Sequence, residues 1–257
     1  MPDILVTARD HVGVVSLNRP EVRNAVTLSM WRELANVFSS LARDDDIRAI
    51  VLTGSGSDFC VGADVSEFDS LRENKSQSAE YEMAVDNCSA AIANVSKPVI
   101  AAISGYCLGG GCHLALACDF RLADHSAKLG IPSAKLSIVY GVKSVQRLLA
   151  IAGIVNAKRM LYSGDRYDAV RAHAMGLVDE ICDSAVSAAV GLAGTLASNA
   201  PLSIAGVKFM LNNLSMADGA LDMAAAQRMI DLAADSEDFR EGRRAFAEKR
   251  TPRFKGR

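Results

Sequence analysis

Apolar residues fall on two different periods along this chain, and the switches between them mark out its elements. The run ILVTARDHVGVVSLN, from Ile4 to Asn18, reads as two short strands around a turn near Asp10. A polar loop, NRPEVRNAV, follows. Thr27 then stands as the cap of a helix running to about Ala42, with Leu28, Trp31, Leu34, Phe38 and Leu41 at helical spacing. IRAIVLTG is a short buried strand that ends in glycine, and SGSDFCVGAD is a second loop. After a polar stretch, SAEYEMAVDNCSAAIANVS predicts a helix that stops before Pro98, and PVIAAIS predicts another buried strand. Three consecutive glycines, Gly109 to Gly111, then open the apolar run CHLALAC.

Beyond Asp119 the alternation weakens. FRLADHSAKLGI is followed by a short helix after Pro132, then by helices over SVQRLLAIAGI, NAKRMLYSG and YDAVRAHAMG, and by a strand over LVDEI. From about Asp183 the pattern is helical to the end. Buried strands joined by helical crossovers predict an α/β protein with a parallel sheet. The one change of character lies near residue 197, which divides the chain into a core over 1–196 and a helical segment over 197–257.

Composition narrows the function. The chain has 257 residues, half of them hydrophobic, enough for a large core. A net charge of -2 offers no broad basic field for nucleic acid or an acidic membrane. The N-terminus lacks a basic segment followed by an apolar one, and no uncharged apolar run reaches about 18 residues. These features predict a cytoplasmic protein without a membrane span. The six cysteines form no CxxC pair and read as reduced, mostly buried thiols, and no metal site is expected.

The loops SDFCVGAD and ISGYCLGGG share a design. Each follows a buried strand and places glycine where the chain turns toward a helix. Helix starts present unpaired N–H groups and a positive dipole end, and glycine allows close approach. Two such starts can aim two N–H groups at one oxygen, the arrangement of an oxyanion hole. Glycine at a tight helix–strand contact explains either loop equally well. Neither loop fits a dinucleotide or Walker pattern.

NRPEVRNAV, FCVGADVSEF, GYCLGGGC and LALACDFRLA occur in the order and spacing of the crotonase superfamily, which includes the enoyl-CoA hydratases and isomerases. The tail EGRRAFAEKRTPRFKGR is also similar to that family's C-terminus. The resemblance covers nearly the whole chain. It implies a crotonase-like spiral of ββα units with a C-terminal helical trimerisation region, assembled as a homotrimer or a dimer of trimers. It implies an acyl-CoA thioester as substrate and no separate cofactor. By motif, the backbone N–H groups of Ala63 and Gly110 would hold the thioester oxygen. Arg23, Ala25, Asp64 and Val65 would lie along the CoA, and Phe246 and Lys249 match tail residues that reach a neighbouring subunit's CoA.

The sequence departs from the hydratases at two places. Two glutamates of that family, one after the glycine triplet and one after the following proline, are here His113 and Ser133. Serine is no acid or base at neutral pH unless activated, whereas imidazole titrates near 6.5 and could still serve as a base. Tyr140, at a place resembling decarboxylating members, could donate a hydrogen bond. Lys135 and Lys143 are further polar candidates, and Asp119 reads as structural. The resemblance therefore implies a lyase or isomerase of acyl-CoA and fatty-acid metabolism with a changed acid/base set. A decarboxylase or hydrolase of a carboxylated or cyclic acyl-CoA, and a non-catalytic acyl-CoA-binding protein, are the alternatives.

Overall fold

A computed structural model describes residues 1–67, 75–136, 138, 140–215 and 223–257. Strands β1 (Ile4–Arg9) and β2 (Val12–Leu17) form a hairpin whose turn holds Asp10 and His11 at positive φ. Helix α1 (Leu28–Arg43) begins where Thr27 Oγ1 accepts the Met30 N–H at 3.2 Å. Its Trp31, Leu34, Phe38 and Leu41 are buried, which is the stripe its period requires. Strand β3 (Ala49–Gly54) is followed by the Val65–Glu67 turn, and α2 (Lys75–Asn94) leads to β4 (Val99–Ile103). Then come β5 (Tyr106–Leu108), α3 (Gly110–Ala117), β6 (Phe120–Asp124) and β7 (Lys128–Gly130). Helix α4 (Val142–Ser163), β8 (Arg166–Asp168), α5 (Ala169–Ala174) and β9 (Glu180–Cys182) complete the core. The C-terminal helices are α6 (Ala185–Ala197), α7 (Pro201–Ser215), α8 (Met223–Ala234) and α9 (Glu237–Ala247).

The main sheet has the order β1-β2-β3-β4-β6-β9, parallel except for the β1–β2 hairpin. Strands β3 and β4 are buried almost throughout, hence their unbroken apolar sequences. On one face, α1 and α2 share a core built from Trp31, Phe38, Tyr81 and Ile92. On the other, α6 lays Ala185, Ala189, Ala193 and Ala197 against Val12, Val51, Ile100 and Leu122. Alanine every fourth residue lets that helix sit close to the sheet. A second sheet, β5-β7-β8, carries the glycine triplet at its end.

As the sequence reading has it, residues 142–163 form two helical pieces, which meet at Gly153, whose φ of 71° and ψ of 166° are not helical. Two details differ from that reading. Strand β5 stands between β4 and the glycines; three residues are too short to show a period. Tyr167 and Asp168 belong to β8, and the Asp168 carboxylate caps α5 by accepting the Arg171 N–H at 2.8 Å. The sequence also suggests a polar, mobile loop from about Val65 to Ala79. Residues 75–79 of it are helical, and 68–74 lie outside the described residues. No single helix is long and apolar enough to cross a membrane.

Candidate functional site

The two glycine-bearing loops are zipped together by backbone. Phe59 N–H donates to Ser104 O, Cys60 N–H to Tyr106 O and Leu108 N–H to Cys60 O, at 2.7–2.9 Å. Further along, Val26 N–H donates to Gly62 O and Asp64 N–H to Val26 O. Successive amides of an extended chain point to opposite sides. Ala63, lying between those two bonds, therefore turns its own N–H away from Val26. Gly110 opens α3, where the first amides have no intrahelical acceptor. Among the described residues, neither the Ala63 nor the Gly110 N–H donates to another group.

The three glycines act differently. Gly109 has φ 49° and ψ -111°, a backbone that side chains disfavour, and this swings the chain from β5 into α3. A Cβ on Gly111 would collide with the Cys60 carbonyl, so this glycine serves close packing. A Cβ on Gly110 would stand 3.2 Å from Ala63 N and 3.0 Å from the Trp31 ring. Its absence leaves a small space beside the Ala63 nitrogen.

That space belongs to a cavity of about 150 Å³, lined in part by Ala63, Gly110, His113, Ser133 and Tyr140. A larger cavity of about 820 Å³, mostly apolar, lies under α7 away from these loops. The smaller space, lined by two residues whose amides donate to no other group among the described residues, is the better candidate for chemistry.

His113 is 3% exposed and sits edge-on between Trp31 and Tyr140, with ring centroids 6.3 and 6.2 Å away. Its Nδ1 shares a hydrogen bond with Ser144 Oγ, while Nε2 has no hydrogen-bond partner among the described residues. Burial, helped by the nearby Arg147 charge and opposed by a contact with the Val85 backbone, lowers its pKa to about 4. The ring is therefore neutral at physiological pH. Ser133 is buried in the Pro132–Leu136 turn. Tyr140 donates to Gly109 O at 3.2 Å, and burial holds its phenol well above the ordinary range.

The sequence model of the enoyl-CoA hydratase/isomerase family matches residues 7–257. The chain belongs to this family. It is 34% identical to 2,3-dehydroadipyl-CoA hydratase of Escherichia coli over the full length of both chains. It is 30% identical to short-chain-enoyl-CoA hydratase of Clostridium acetobutylicum, over 96% of this chain and 95% of that one. Among solved structures, an enoyl-CoA hydratase/isomerase family protein from Hyphomonas neptunium superposes with a TM-score of 0.95. It is 33% identical, with 100% and 98% of the two chains covered. The fold is that of the crotonase superfamily.

The remaining positions that the family pattern singles out lie mostly outside the cavity. Val65 lines it and is exposed. Asp64 accepts from Arg19 Nη1 at 2.9 Å and from Ser66 N and Oγ, so its carboxylate locks the turn; these bonds lower its pKa. Ala25 is buried, and its carbonyl accepts from the same Arg19 nitrogen. Arg23 lies over the Tyr106 ring at 5.0 Å and is half exposed. Lys249 is exposed at φ 52°. The Phe246 side chain lies outside the described part. Lys135 pairs with Asp165 at 3.0 Å, and Lys143 is exposed. Asp119 accepts from Val99 N and Lys208 Nζ, both at 2.7 Å, which is the structural role its place suggests.

Sequence reasoning passes over three residues that matter here. Asn24 is fully buried and ties the first loop to the second by donating to Ser55 O and Asp58 O while accepting the Arg19 N–H. Arg19 braces both Ala25 and Asp64. Their signal lies in NRPEVRNAV itself, a loop too polar and too specific to be only a connector. Glu82 of α2 also lines the cavity. No local pattern marks it among the other polar residues of that helix.

Proposed function

We propose that this member of the family is an acyl-CoA-processing enzyme that holds a thioester oxygen between the N–H groups of Ala63 and Gly110. The observation that carries this reading is that Ala63 and Gly110, whose amides donate to no other group among the described residues, line one cavity of about 150 Å³. Charge developing on the oxygen in an enolate-like transition state strengthens both bonds, and each donor of this kind contributes about 3–4 kcal/mol. The α3 dipole adds to the field there. The CoA body leaves the cavity past Val65 and runs along Arg23, Ala25 and Asp64, with Lys249 and Phe246 serving a neighbouring subunit of a trimer or a dimer of trimers.

Ordinary enoyl-CoA hydration is not its principal reaction. Hydration by two carboxylates needs acids over the acyl group, and those places hold a neutral His113 and Ser133. The modest volume of the cavity, about 150 Å³, suits short acyl groups. A non-catalytic acyl-CoA-binding role is the second reading, favoured by the depressed basicity of His113.

A panel of short, medium, long and carboxylated enoyl-CoAs separates these readings, with loss of the conjugated thioester absorbance as the readout. Turnover of short or carboxylated members, with crotonyl-CoA hydration slow, supports the enzyme. Fast crotonyl-CoA hydration that survives His113→Ala overturns the view that this site lost hydratase chemistry. Tight binding of every thioester without turnover establishes the second reading.

A further inference from the structure

We propose that Glu82, on α2, is the general acid/base of this cavity, supplied from a helix that the family's motifs leave unmarked. The inference rests on the acyl-CoA reading above. Among the described residues that line the cavity, Glu82 is the one acidic side chain. Its carboxylate reaches the far wall of the site: a methyl group placed on Gly141 would lie 3.9 Å from Glu82 Oε2 and 3.8 Å from Ser144 Oγ. Ser144 in turn holds His113 Nδ1, and His113 packs edge-on against Tyr140. The negative charge of Glu82 is close enough to Tyr140 to help hold that phenol protonated, behind the larger effect of burial and of Cys112 and Cys107.

Elimination points the same way. Carboxylates and imidazoles are the usual carriers of protons near neutral pH. The imidazole present is buried beside Arg147 and accepts a proton only in acid. Tyr140 is a neutral donor already engaged with Gly109 O. Ser133 and Ser144 have no proton to give or take without a stronger partner. A carboxylate on α2 is what the site retains for proton transfer.

The elementary step is balanced within the site. A Glu82 carboxylate oxygen takes the proton from the α-carbon of the acyl group. The C–H electron pair becomes the carbon–carbon π bond of the enolate, and the carbonyl π pair moves onto the oxygen facing Ala63 and Gly110. The protonated Glu82 then returns its proton to carbon, at the α-position or, in an unsaturated chain, at the far end of the allylic system. One acid suffices for such exchange or double-bond migration. Addition of water, which the hydratases accomplish with two carboxylates, is not required.

The test follows α-proton exchange of butyryl-CoA in D2O by mass spectrometry, with butyryl-CoA affinity measured in parallel. Glu82→Gln keeps the size of the side chain and removes its proton. Exchange should fall about 100-fold or more, the usual worth of a positioned acid or base, with affinity unchanged. Glu82→Ala, assayed with added acetate, should regain part of the rate, which a merely structural residue would not do. Undiminished exchange in Glu82→Gln, or a loss that only follows a loss of affinity, overturns the assignment and leaves the thioester reading standing. A parent protein that binds butyryl-CoA and never exchanges it overturns both the assignment and the enzymatic reading. A parent that binds no acyl-CoA overturns the thioester reading itself, and the assignment with it.

Discussion

His113 shows how burial decides what a titratable residue can do. Unfolded, it titrates near 6.5; in the core its pKa falls to about 4. Between those values the unfolded chain binds the extra proton and the native protein does not, so this residue makes stability rise with pH across that window. As pH falls from about 6.5 to about 4 the contribution, about 3 kcal/mol in full, is lost. Denaturant titrations at several pH values should show a shallower slope over this range in His113→Gln than in the parent. Neighbouring glycines give a second contrast at this scale. Gly111→Ala drives a methyl group into the Cys60 carbonyl and should cost about 1–3 kcal/mol by urea unfolding. Gly109→Ala meets no atom within 4 Å and should still cost about 1–3 kcal/mol, because φ 49° with ψ -111° is a backbone that side chains disfavour.

Elements were legible in proportion to their length and period. Helix α1 has an apolar stripe of four turns and a threonine cap, and both are written in the residues from Thr27 to Leu41. Strands β3 and β4 show as unbroken apolar runs because neighbours cover both their faces. The three-residue strands β5, β7 and β8 left no period to read; long-range pairing alone creates them. The same limit applies to the site. The glycine loops announced themselves locally, with His113 and Ser133 marked by their distance from those motifs. Glu82 lines the same cavity as Tyr140, 58 positions further along the sequence, a juxtaposition that no local pattern records. Helix α6 offers a clean test at this scale. Gly191 and Gly194 lie inside it, and a Cβ at either meets no atom within 4 Å. Each Gly→Ala replacement should raise stability by about 0.5–1 kcal/mol, read as a higher denaturation midpoint with unchanged thioester binding.

At the scale of the whole molecule, the helical C-terminal segment is fastened to the core by a buried charge. Lys208 of α7 donates to Asp119 at 2.7 Å and to Lys97 O at 2.9 Å, and both charged side chains are largely covered. Burial pushes the Asp119 carboxyl up, against the pull of Lys208. Removing one partner strands the other away from water. Lys208→Met should therefore cost about 3–5 kcal/mol, and the double variant Lys208→Met, Asp119→Leu should recover much of it. A double-variant loss equal to the sum of the Lys208→Met and Asp119→Leu losses would mean that the pair is not coupled.

The zipped loops carry one last consequence, for anyone who would map this site by mutation. The two amides belong to a residue that is already alanine and to a glycine. Truncating side chains one at a time, the usual way of finding what an enzyme depends on, would pass over both without a signal. The groups set deepest in the backbone lattice are the ones such a survey cannot touch. Chemistry around them is free to change by exchange of side chains while the cradle beneath stays as it is.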